Sequence, residues 1–396
     1  MPDPRLSPRI LLPLLVLLAA IGPMVLNLPL PAVPGLARYF ATDPGTIQLI
    51  ITLYLAGMAI SQLFLGPLSD RFGRRPVMLA CLAATALTSV FAALAASATW
   101  LIVARVLQSV GASAGQVIGR AIIRDVFDRD RAASMIGWVT MAMVVAPMLS
   151  PSIGGLLNET VGWRWIFVVI AVIAAATLAI SVFALPETRA VASSPSMAQL
   201  MRDAGFLMRD RVFLAYLGIG ALSSVTFFAF VGGAPHVVVT VMGESSSTYG
   251  LWFIANAGGY MIGNALSGRF AARVGSYRMI YLGTMLMVFA TLVQGTIALS
   301  GWMTHPATMF LPQAVIAFSN GLQLPSAIAG GVSVRPEAAG SASGIIGFVQ
   351  MGVGAIAAQI SGTLVGIWLS PVPMVAIILI GGLGAWGALT LLREND

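Results

Sequence analysis

The sequence contains few charged residues, no lysine, one cysteine and two histidines. Charged residues make up 9% of the 396 residues, against about 25% in an ordinary soluble domain. The lone Cys81 excludes an intramolecular disulfide and a cysteine metal cluster, and His236 and His305 are too few for a histidine-built metal site. No nucleotide-binding loop and no nucleophile–base set is visible. The sequence therefore predicts neither an enzyme nor a protein that needs a metal or a cofactor.

Apolar residues, in contrast, make up 58% of the chain and gather in twelve long segments. Most of these segments approach the ~20 residues needed to cross a bilayer. The first one follows Arg5 and Arg9, as a signal peptide would, but its length and its prolines favour a retained helix. The sequence predicts an all-α membrane protein with twelve spans, near residues 10–30, 46–66, 76–97, 100–122, 133–157, 163–185, 212–234, 248–270, 277–299, 305–330, 338–364 and 372–392.

A short arginine-rich motif occurs twice. Residues 66–76 read GPLSDRFGRRP between spans 2 and 3, and residues 268–278 read GRFAARVGSYR between spans 8 and 9, 202 positions later. A repeat half a chain apart indicates two homologous membrane halves, as in secondary transporters. The longest polar gap lies between the two halves. We predict an N-terminal six-helix bundle at 1–185, a cytoplasmic linker at 186–211 and a C-terminal six-helix bundle at 212–396.

The arginines predict the orientation of the chain in the membrane. With a cytoplasmic N-terminus, all but three of the 21 arginines fall in inner loops or termini. The exceptions are Arg38 and Arg164 in outer loops and Arg105 inside span 4. The positive-inside rule therefore places both termini in the cytoplasm. The basic charge reflects this topology rather than a nucleic-acid surface.

Several motifs of the first half resemble those of one transporter family. The GPLSDRFGRRP loop resembles the signature loop of the major facilitator superfamily. Residues 30–34, LPAVP, resemble the LPALP-type segment of Bcr/CflA drug exporters, and residues 105–115, RVLQSVGASAG, follow in span 4. Residues 137–155 in span 5 are similar to the antiporter motif of the superfamily, with Ala146 and Ser150 in place of two glycines.

This resemblance implies both a fold and a function. The fold is the major facilitator fold, with twelve transmembrane helices in two pseudo-symmetric six-helix bundles. The function is export of amphipathic drug-like compounds, of the phenicol or bicyclomycin class, by alternating access coupled to proton influx. The resemblance further implies a monomeric, multi-pass protein of the bacterial inner membrane. Its partners are then a small-molecule substrate, protons and the lipid bilayer, without nucleic acid.

The loop after span 2 is expected to control the inner side of the transporter. Gly66 and Gly73 are expected to allow a tight turn, and Asp70 to make a charge-assisted hydrogen bond to Arg124 or a nearby arginine. The resemblance implies a cytoplasmic latch that forms when the transporter is open to the outside and breaks on the return. The predicted latch residues are Gly66, Asp70, Arg71, Gly73, Arg74, Arg124 and Asp125.

Span 5 combines small residues with two prolines. This composition predicts a bent helix that approaches its neighbours closely. The resemblance implies a gating helix, and the glycine-rich span 11 is its expected partner in the other half. The predicted gating residues are Gly137, Pro147, Pro151, Gly154 and Gly155.

A substrate cavity is expected between the halves. Arg105 lies about five residues, or roughly 8 Å, into span 4 from its outer end. A charge inside a span indicates function, although an arginine at that depth can also reach the headgroups. Amides and aromatic rings of the second half suit a mostly apolar pocket for a drug-sized molecule. The candidate substrate and coupling residues are Asn27, Tyr54, Arg105, Gln108, Phe228, Asn256 and Gln323.

Proton coupling rests on the resemblance alone. Bcr/CflA exporters generally carry an aspartate just before the LPALP-type segment, where this chain has Asn27, and an amide does not titrate. With span 1 at 10–30, Asn27 falls in the outer third of the helix, near Arg105, and Asp125 is the next candidate for a coupling carboxylate. Two alternatives stay open: a facilitator or importer of a small organic anion that pairs with Arg105, and a non-transporting membrane receptor.

Overall fold

A computed structural model describes the backbone of residues 8–126, 129–188 and 197–393, and the side chains of residues 11–123, 125–126, 145–188, 202–335 and 337–392. Within this part of the chain all regular structure is helical, as predicted. The helices of the first half are α1 (Pro8–Asn27), α2 (Val33–Tyr39), α3 (Pro44–Phe72), α4 (Arg74–Ala93), α5 (Ala98–Ala112), α6 (Ala114–Val126), α7 (Arg129–Thr160) and α8 (Arg164–Ala184). Those that follow are α9 (Met197–Leu207), α10 (Arg211–His236), α11 (Ser246–Val274), α12 (Ser276–Leu299), α13 (Pro306–Ser333), α14 (Ala339–Trp368) and α15 (Val372–Arg393).

Ten helical segments of the described chain are long and apolar enough to cross a membrane. In two of them a pair of helices forms one span, α1 with α2 and α5 with α6, and in a third a π-helical turn extends α10. Two further helices, α7 and α11, have 32 and 29 residues and are long enough to cross as well. Ten of the twelve predicted spans thus fall on these segments, the other two fall on α7 and α11, and α9 is an additional short helix between predicted spans 6 and 7.

The repeat in the sequence is also a repeat in the structure. The helices α3 and α11 both have 29 residues, and their bounds are offset by the same 202 positions as the two arginine-rich motifs. Gly73 after α3 has φ +101° and Gly275 after α11 has φ +94°. A residue with a side chain is strained at such an angle. The two glycines therefore turn the chain in the same way in both halves, which supports the predicted pseudo-symmetry.

The first span is longer than predicted. A 3₁₀ turn, Leu30–Ala32, follows α1, and α2 then continues to Tyr39, so that one span runs over Leu11–Tyr39. Proline is well tolerated in the first turn of a helix, so the prolines of this segment begin new helical turns rather than end the span. Asn27 consequently lies near the middle of this longer helical segment.

The two halves contact each other at the end of the molecule that carries Arg38 and Arg164, which we call the arginine-poor end. Here α7 packs on α11 and α3 packs on α14. The Ser152 hydroxyl donates to the Gly250 carbonyl oxygen at 2.7 Å, and the Gln359 amide donates to the Gly45 carbonyl oxygen at 2.9 Å. The molecule is therefore closed between its halves at the arginine-poor end.

Candidate functional site

A cavity of about 250 Å³ lies between the two halves. It is bordered by α1, α3, α6 and α7 of the first half and by α10, α11, α13 and α14 of the second. Among the described residues that line it, none carries a charge, and aromatic rings and aliphatic side chains dominate. The lining residues are Pro23, Leu26, Asn27, Met58, Gln116, Pro147, Ser224, Phe227, Phe228, Phe253, Asn256, Ala257, Tyr260, Ala317, Asn320, Leu324 and Met351.

Three of the seven predicted substrate and coupling residues lie in this lining. They are Asn27, Phe228 and Asn256. The other four are fully buried beside it and are absent from the lining: Tyr54, Arg105, Gln108 and Gln323. The lining also contains Gln116, which the sequence analysis did not select. Gln116 could have been selected from the sequence, because it lies eight residues, or about two helical turns, after Gln108 in span 4.

Arg105 is held inside the first half. Its guanidinium donates to the carbonyl oxygens of Val25 at 2.9 Å and of Ile50 at 3.1 Å, and to Gln108 Oε1 at 2.6 Å. The guanidinium carbon lies 4.1 Å from the centre of the Tyr54 ring, so the aromatic face adds a cation–π contact. Arg105 thus contacts Gln108 and backbone carbonyl oxygens of α1 and α3. The side chain reaches neither the headgroups nor the cavity.

This arrangement ties four helices together. The Tyr54 hydroxyl donates to the Gly22 carbonyl oxygen at 3.1 Å, and the Gln108 amide donates to Ser89 Oγ at 2.7 Å. Through these bonds Arg105 on α5 connects α1, α3 and α4. Asn27, which was expected near Arg105, does not bond it: the Asn27 amide donates to the Pro23 carbonyl oxygen at 2.8 Å, whereas Arg105 bonds the Val25 carbonyl oxygen. Asn27 and Arg105 do not bond each other because each donates to a backbone carbonyl oxygen of α1.

A second buried polar network supports the opposite wall. The Gln323 amide donates to Ser223 Oγ at 2.9 Å and to Asn320 Oδ1 at 3.2 Å, and it accepts from Thr284 Oγ1 at 2.6 Å. The Asn320 amide nitrogen donates in turn to Thr226 Oγ1 at 3.0 Å. Gln323 therefore does not line the cavity itself but positions the amide of Asn320, which does.

An ionic cluster lies at the opposite, arginine-rich end. Arg74 on α4 pairs with Asp70 on α3 and, through Nε at 3.0 Å, with Asp125 on α6. The predicted partner of Asp70, a nearby arginine, is thus Arg74. The side chain of Arg124 lies outside the described residues, and Arg71 stacks on Phe72 with its guanidinium carbon 5.3 Å from the ring centre.

Two predictions about this loop need correction. Gly66 lies inside α3 rather than in a turn, and a Cβ atom placed there would meet nothing within 4 Å; only Gly73 makes the turn. The Asp70 and Asp125 pairs are also formed while the arginine-poor end is closed, when the predicted latch should be broken. Both pairs lie within the first half, so a separation of the halves does not have to break them.

Sequence reasoning missed Glu187 in this cluster. Its carboxylate accepts from the backbone nitrogens of Arg74 at 2.9 Å and Arg75 at 3.2 Å. These are the first nitrogens of α4, whose N-cap is Gly73 and has no side chain to bond them. A helix N-terminus favours such a negative charge. The sequence did contain a signal for this role, because Glu187 is an acidic residue directly after span 6, on the same predicted side of the membrane as the arginine-rich loop after span 2.

The gating helix α7 contacts a different partner from the predicted one. Its mate in the second half is α11, the eighth span, whereas the glycine-rich α14, the eleventh span, packs on α3. A Cβ atom at Gly155 would lie 2.4 Å from the Ser246 carbonyl oxygen, and one at Gly250 would lie 2.4 Å from the Pro151 carbonyl oxygen. The close approach therefore depends on one glycine from each half, which glycine content alone does not reveal.

The other predicted gating residues lie on the same helix. Gly154 packs on α1, where a Cβ atom would lie 1.9 Å from the Leu28 carbonyl oxygen. Pro147 lines the cavity, and Pro151 is buried beside α11. Gly137 belongs to α7, but its surroundings lie outside the described residues.

Polar contacts at the arginine-poor end reinforce this packing. Glu159 at the end of α7 accepts from the backbone nitrogen of Ser247 at 2.8 Å, and the Ser246 hydroxyl donates to the Pro31 carbonyl oxygen at 3.0 Å.

At the start of α3, the side chain and backbone of Thr46 both donate to Asp43. These bonds lower the pKa of the exposed Asp43 carboxyl below its ordinary value and keep the cap of α3 charged near neutral pH.

A central cavity between two helical halves that is closed at one end is an arrangement found in secondary transporters. The sequence matches the model of the Major Facilitator Superfamily over residues 15–359. The chain belongs to this superfamily. The family is one of transporters rather than enzymes, in agreement with the sequence analysis.

Similar proteins from bacteria cover most of the chain. It is 32% identical to "Uncharacterized MFS-type transporter YdgK" of Bacillus subtilis (strain 168), over 94% of both chains. It is 31% identical to "Multidrug resistance protein D" of Escherichia coli (strain K12), over 88% of this chain and 87% of that one. It is 27% identical to "Bicyclomycin resistance protein homolog" of Haemophilus influenzae (strain ATCC 51907 / DSM 11121 / KW20 / Rd), over 86% and 85%. These names support the resemblance to Bcr/CflA-type efflux transporters.

The fold also matches solved transporter structures. An inward-facing, unoccupied crystal structure of a bacterial homologue of the human lysosomal transporter Spinster superposes with a TM-score of 0.75. The two share 14% sequence identity, and the match covers 98% of this chain and 99% of that one. At this identity the likeness concerns the fold, and it supports the predicted major facilitator architecture.

Proposed function

We propose that the protein exports small amphipathic, drug-like compounds across the bacterial inner membrane by alternating access. The observation that carries this proposal is the cavity, which is mostly apolar, uncharged in its described lining and built by both halves. Rocking of the two halves about such a cavity would open it to one side at a time. The names of two relatives, for multidrug and bicyclomycin resistance, agree with export of compounds of this class. One chain supplies both walls, so a monomer suffices.

The proposed orientation places both termini and the arginine-rich end in the cytoplasm. The arginine distribution supports it through the positive-inside rule. The described conformation then faces the cytoplasm, because the halves are closed at the arginine-poor end. Reporter fusions test this orientation: alkaline phosphatase at Glu244 should be active and at Glu337 inactive, with the reverse pattern for a fluorescent protein. A cytoplasmic signal at Glu244 would contradict the orientation.

Proton influx is the proposed driving force. The cavity lining described here carries amides where coupling would need a titratable group, so the cavity itself gives this proposal no support. Asp125 at the arginine-rich end, which pairs with Arg74 together with Asp70, stays the candidate for a coupling carboxylate.

The import of an organic anion receives less support. That alternative required Arg105 to face the substrate, but Arg105 is fully buried and bonded to α1, α3 and Gln108. A receptor without transport activity is equally disfavoured by membership in a family of transporters.

Drug susceptibility tests the proposed function. The protein should be produced in a strain that lacks its own major pumps, and the strain grown against a panel of neutral, cationic and anionic antibiotics. We expect a raised inhibitory concentration for some amphipathic members, abolished by a protonophore. The Arg105→Ala variant, produced to the same level, should give no resistance. Normal sensitivity to the whole panel, together with substrate uptake into the cells, would favour a facilitator and contradict the proposal.

A further inference from the structure

His236 is buried where the two halves meet. It is the last residue of α10, and only 2% of its surface is exposed. A Cβ atom placed on Gly366 of α14 would lie 3.7 Å from the ring carbon Cε1 of His236 and 2.5 Å from Cβ of Pro44, which begins α3. Helix α10 also packs on α2 and on the 3₁₀ turn before it. His236 therefore belongs to the second half but lies against the first half at the arginine-poor end.

The buried imidazole has no compensation for a positive charge. No described residue bonds its Nε2 atom, and this atom is enclosed by protein. Asp43, next to Pro44 in the sequence, directs both carboxylate oxygens to Thr46. A proton on His236 would create a buried charge without a partner, which is strongly unfavourable. The closed conformation therefore suits only the neutral imidazole.

The elements packed on α10 bring no carboxylate to this site. Helix α14, the 3₁₀ turn Leu30–Ala32 and the π-helical turn after His236 contain no titratable residue, and Arg393 of α15 lies at the opposite end of its helix. The titratable and charged groups of the arginine-poor end are Arg38 and Tyr39 on α2, Asp43 before α3, Glu159 on α7, Arg164 on α8, Glu244 before α11, Tyr249 on α11 and His305 before α13. None of the carboxylates among them forms an ion pair with His236.

Opening of the arginine-poor end would change the surroundings of His236. The contact between α3 and α14 is part of the closure, so separation of the halves moves Pro44 away from Gly366 and admits water to the imidazole. A hydrated histidine has an ordinary pKa of about 6.5 and becomes charged in mildly acidic solution. The open conformation thus accepts both forms of the imidazole and the closed one only the neutral form. A ligand that binds one conformation shifts the equilibrium toward it, and here the ligand is a proton.

We propose that His236 is a proton-binding site that fills only when the halves separate at the arginine-poor end, so that protons on that side favour the outward-open conformation. The inference rests on the alternating access of the proposed function. His236 is absent from the cavity lining and lies at the opposite end from Asp70 and Asp125, so its proton arrives and leaves on one side of the membrane. The site therefore makes the cycle sensitive to external acidity and is separate from the proton that drives transport.

The distance between the halves at different pH values tests this site. Cysteines at Val161 and Trp302 in a Cys81→Ser background carry spin labels, and double electron–electron resonance on the full-length protein in lipid nanodiscs gives the open and closed populations. The ratio of open to closed protein should rise about tenfold from about pH 8 to about pH 5.5, because a hydrated histidine is about nine-tenths protonated at the lower pH. Carboxylates, with ordinary pKa values of about 4, stay charged over this range.

Variants assign the rise to His236. His236→Gln keeps a polar side chain that does not titrate, and His236→Phe keeps a ring without nitrogens, so both should remove the rise. His236→Arg is charged at both pH values and should favour the open conformation at the higher pH as well. His305→Gln is the matched control, because it replaces the other histidine of the chain, exposed at the same end, and the rise should remain. The ratio is taken at two pH values on one preparation, so it does not depend on the yield of folded protein.

Three results would overturn the inference: a wild-type ratio that does not change with pH, a rise that persists in both His236→Gln and His236→Phe, or a rise that disappears in His305→Gln. These results are distinct from a failure of the proposed function. Drug export by a protein whose opening does not depend on His236 would remove the inference and leave export intact. Opening that depends on His236, without export of any compound, would do the opposite.

Discussion

Glu159 in the first half accepts a hydrogen bond from the backbone nitrogen of Ser247, 2.8 Å away in the first turn of α11 in the second half. A carboxylate at a helix N-terminus is stabilised by the unpaired nitrogens and by the helix dipole. This contact exists only while the arginine-poor end is closed. It therefore links a single charge to the equilibrium between the two conformations of the transporter.

We predict that Glu159→Gln opens the arginine-poor end more often. The glutamine keeps the shape but removes the charge, which contributes about 0.3–1 kcal/mol at a helix terminus and corresponds to a shift of about two- to fivefold. Cysteines introduced at Val161 and Trp302 in a Cys81→Ser background carry spin labels. The distance between the labels, measured by double electron–electron resonance, reports the separation of the halves. Glu244→Gln, a charge change in the next loop, is the control. Identical distance distributions in both variants would show that Glu159 does not contribute to closure.

The neighbouring glycines of α7 should give different defects. Gly154→Ala forces a Cβ against the Leu28 carbonyl oxygen within the first half, and Gly155→Ala forces one against the Ser246 carbonyl oxygen of the second. The first clash cannot be relieved by movement of the halves, so we expect a loss of about 1–3 kcal/mol in stability, seen as a lower unfolding temperature. The second is relieved when the halves separate, so we expect near-normal stability and a longer label distance. The same thermal loss in both variants would contradict this distinction.

Asp70→Asn should slow transport far more than it weakens ligand binding. Asp70 and Asp125 hold Arg74 between α3, α4 and α6, so the charge keeps these helices together as the halves move, and the cluster does not touch the cavity. Flux into vesicles and ligand affinity should be measured on one preparation. Glu337→Gln, an exposed charge in another loop, should leave both unchanged. Parallel losses of flux and affinity in Asp70→Asn would indicate a purely structural role.

Arg105→Lys should fail to replace arginine. The guanidinium uses Nε and Nη1 to bond Val25, Ile50 and Gln108 at once, and an ammonium group has neither this planar geometry nor its stacking on Tyr54. We expect a lower unfolding temperature and loss of transport, with Arg38→Lys, on an exposed residue, as the control. Full transport by Arg105→Lys would show that charge alone suffices.

The sequence predicts the framework of this molecule well. Span length and the repeated loop are properties of short stretches of sequence, and the positive φ of Gly73 and Gly275 follows from the turn that each motif has to make. Asp70 was correctly expected to pair with an arginine, since Arg74 lies only four residues further along the same short motif. The 3₁₀ turn and the short helix α2 that follow Asn27 were not predicted, because the expected first span ended at residue 30.

The site was harder to predict because it depends on contacts between distant segments. Helical spacing places Arg105 and Gln108 on one face but does not tell whether that face meets the cavity or another helix. Likewise, glycines mark where helices approach, but only the structure shows that Gly155 meets Ser246 of the eighth span. The role of Glu187 could not be predicted, because the sequence does not show that α4 begins beside it.

Accumulation in membrane vesicles tests the central claim, outward transport driven by protons, most directly. Everted and right-side-out vesicles that contain equal amounts of protein should be energised and given a compound to which the protein confers resistance. We predict accumulation in the everted vesicles only, abolished by a protonophore and by Asp70→Asn. Accumulation in the right-side-out vesicles, or accumulation that persists without a proton gradient, would contradict this account.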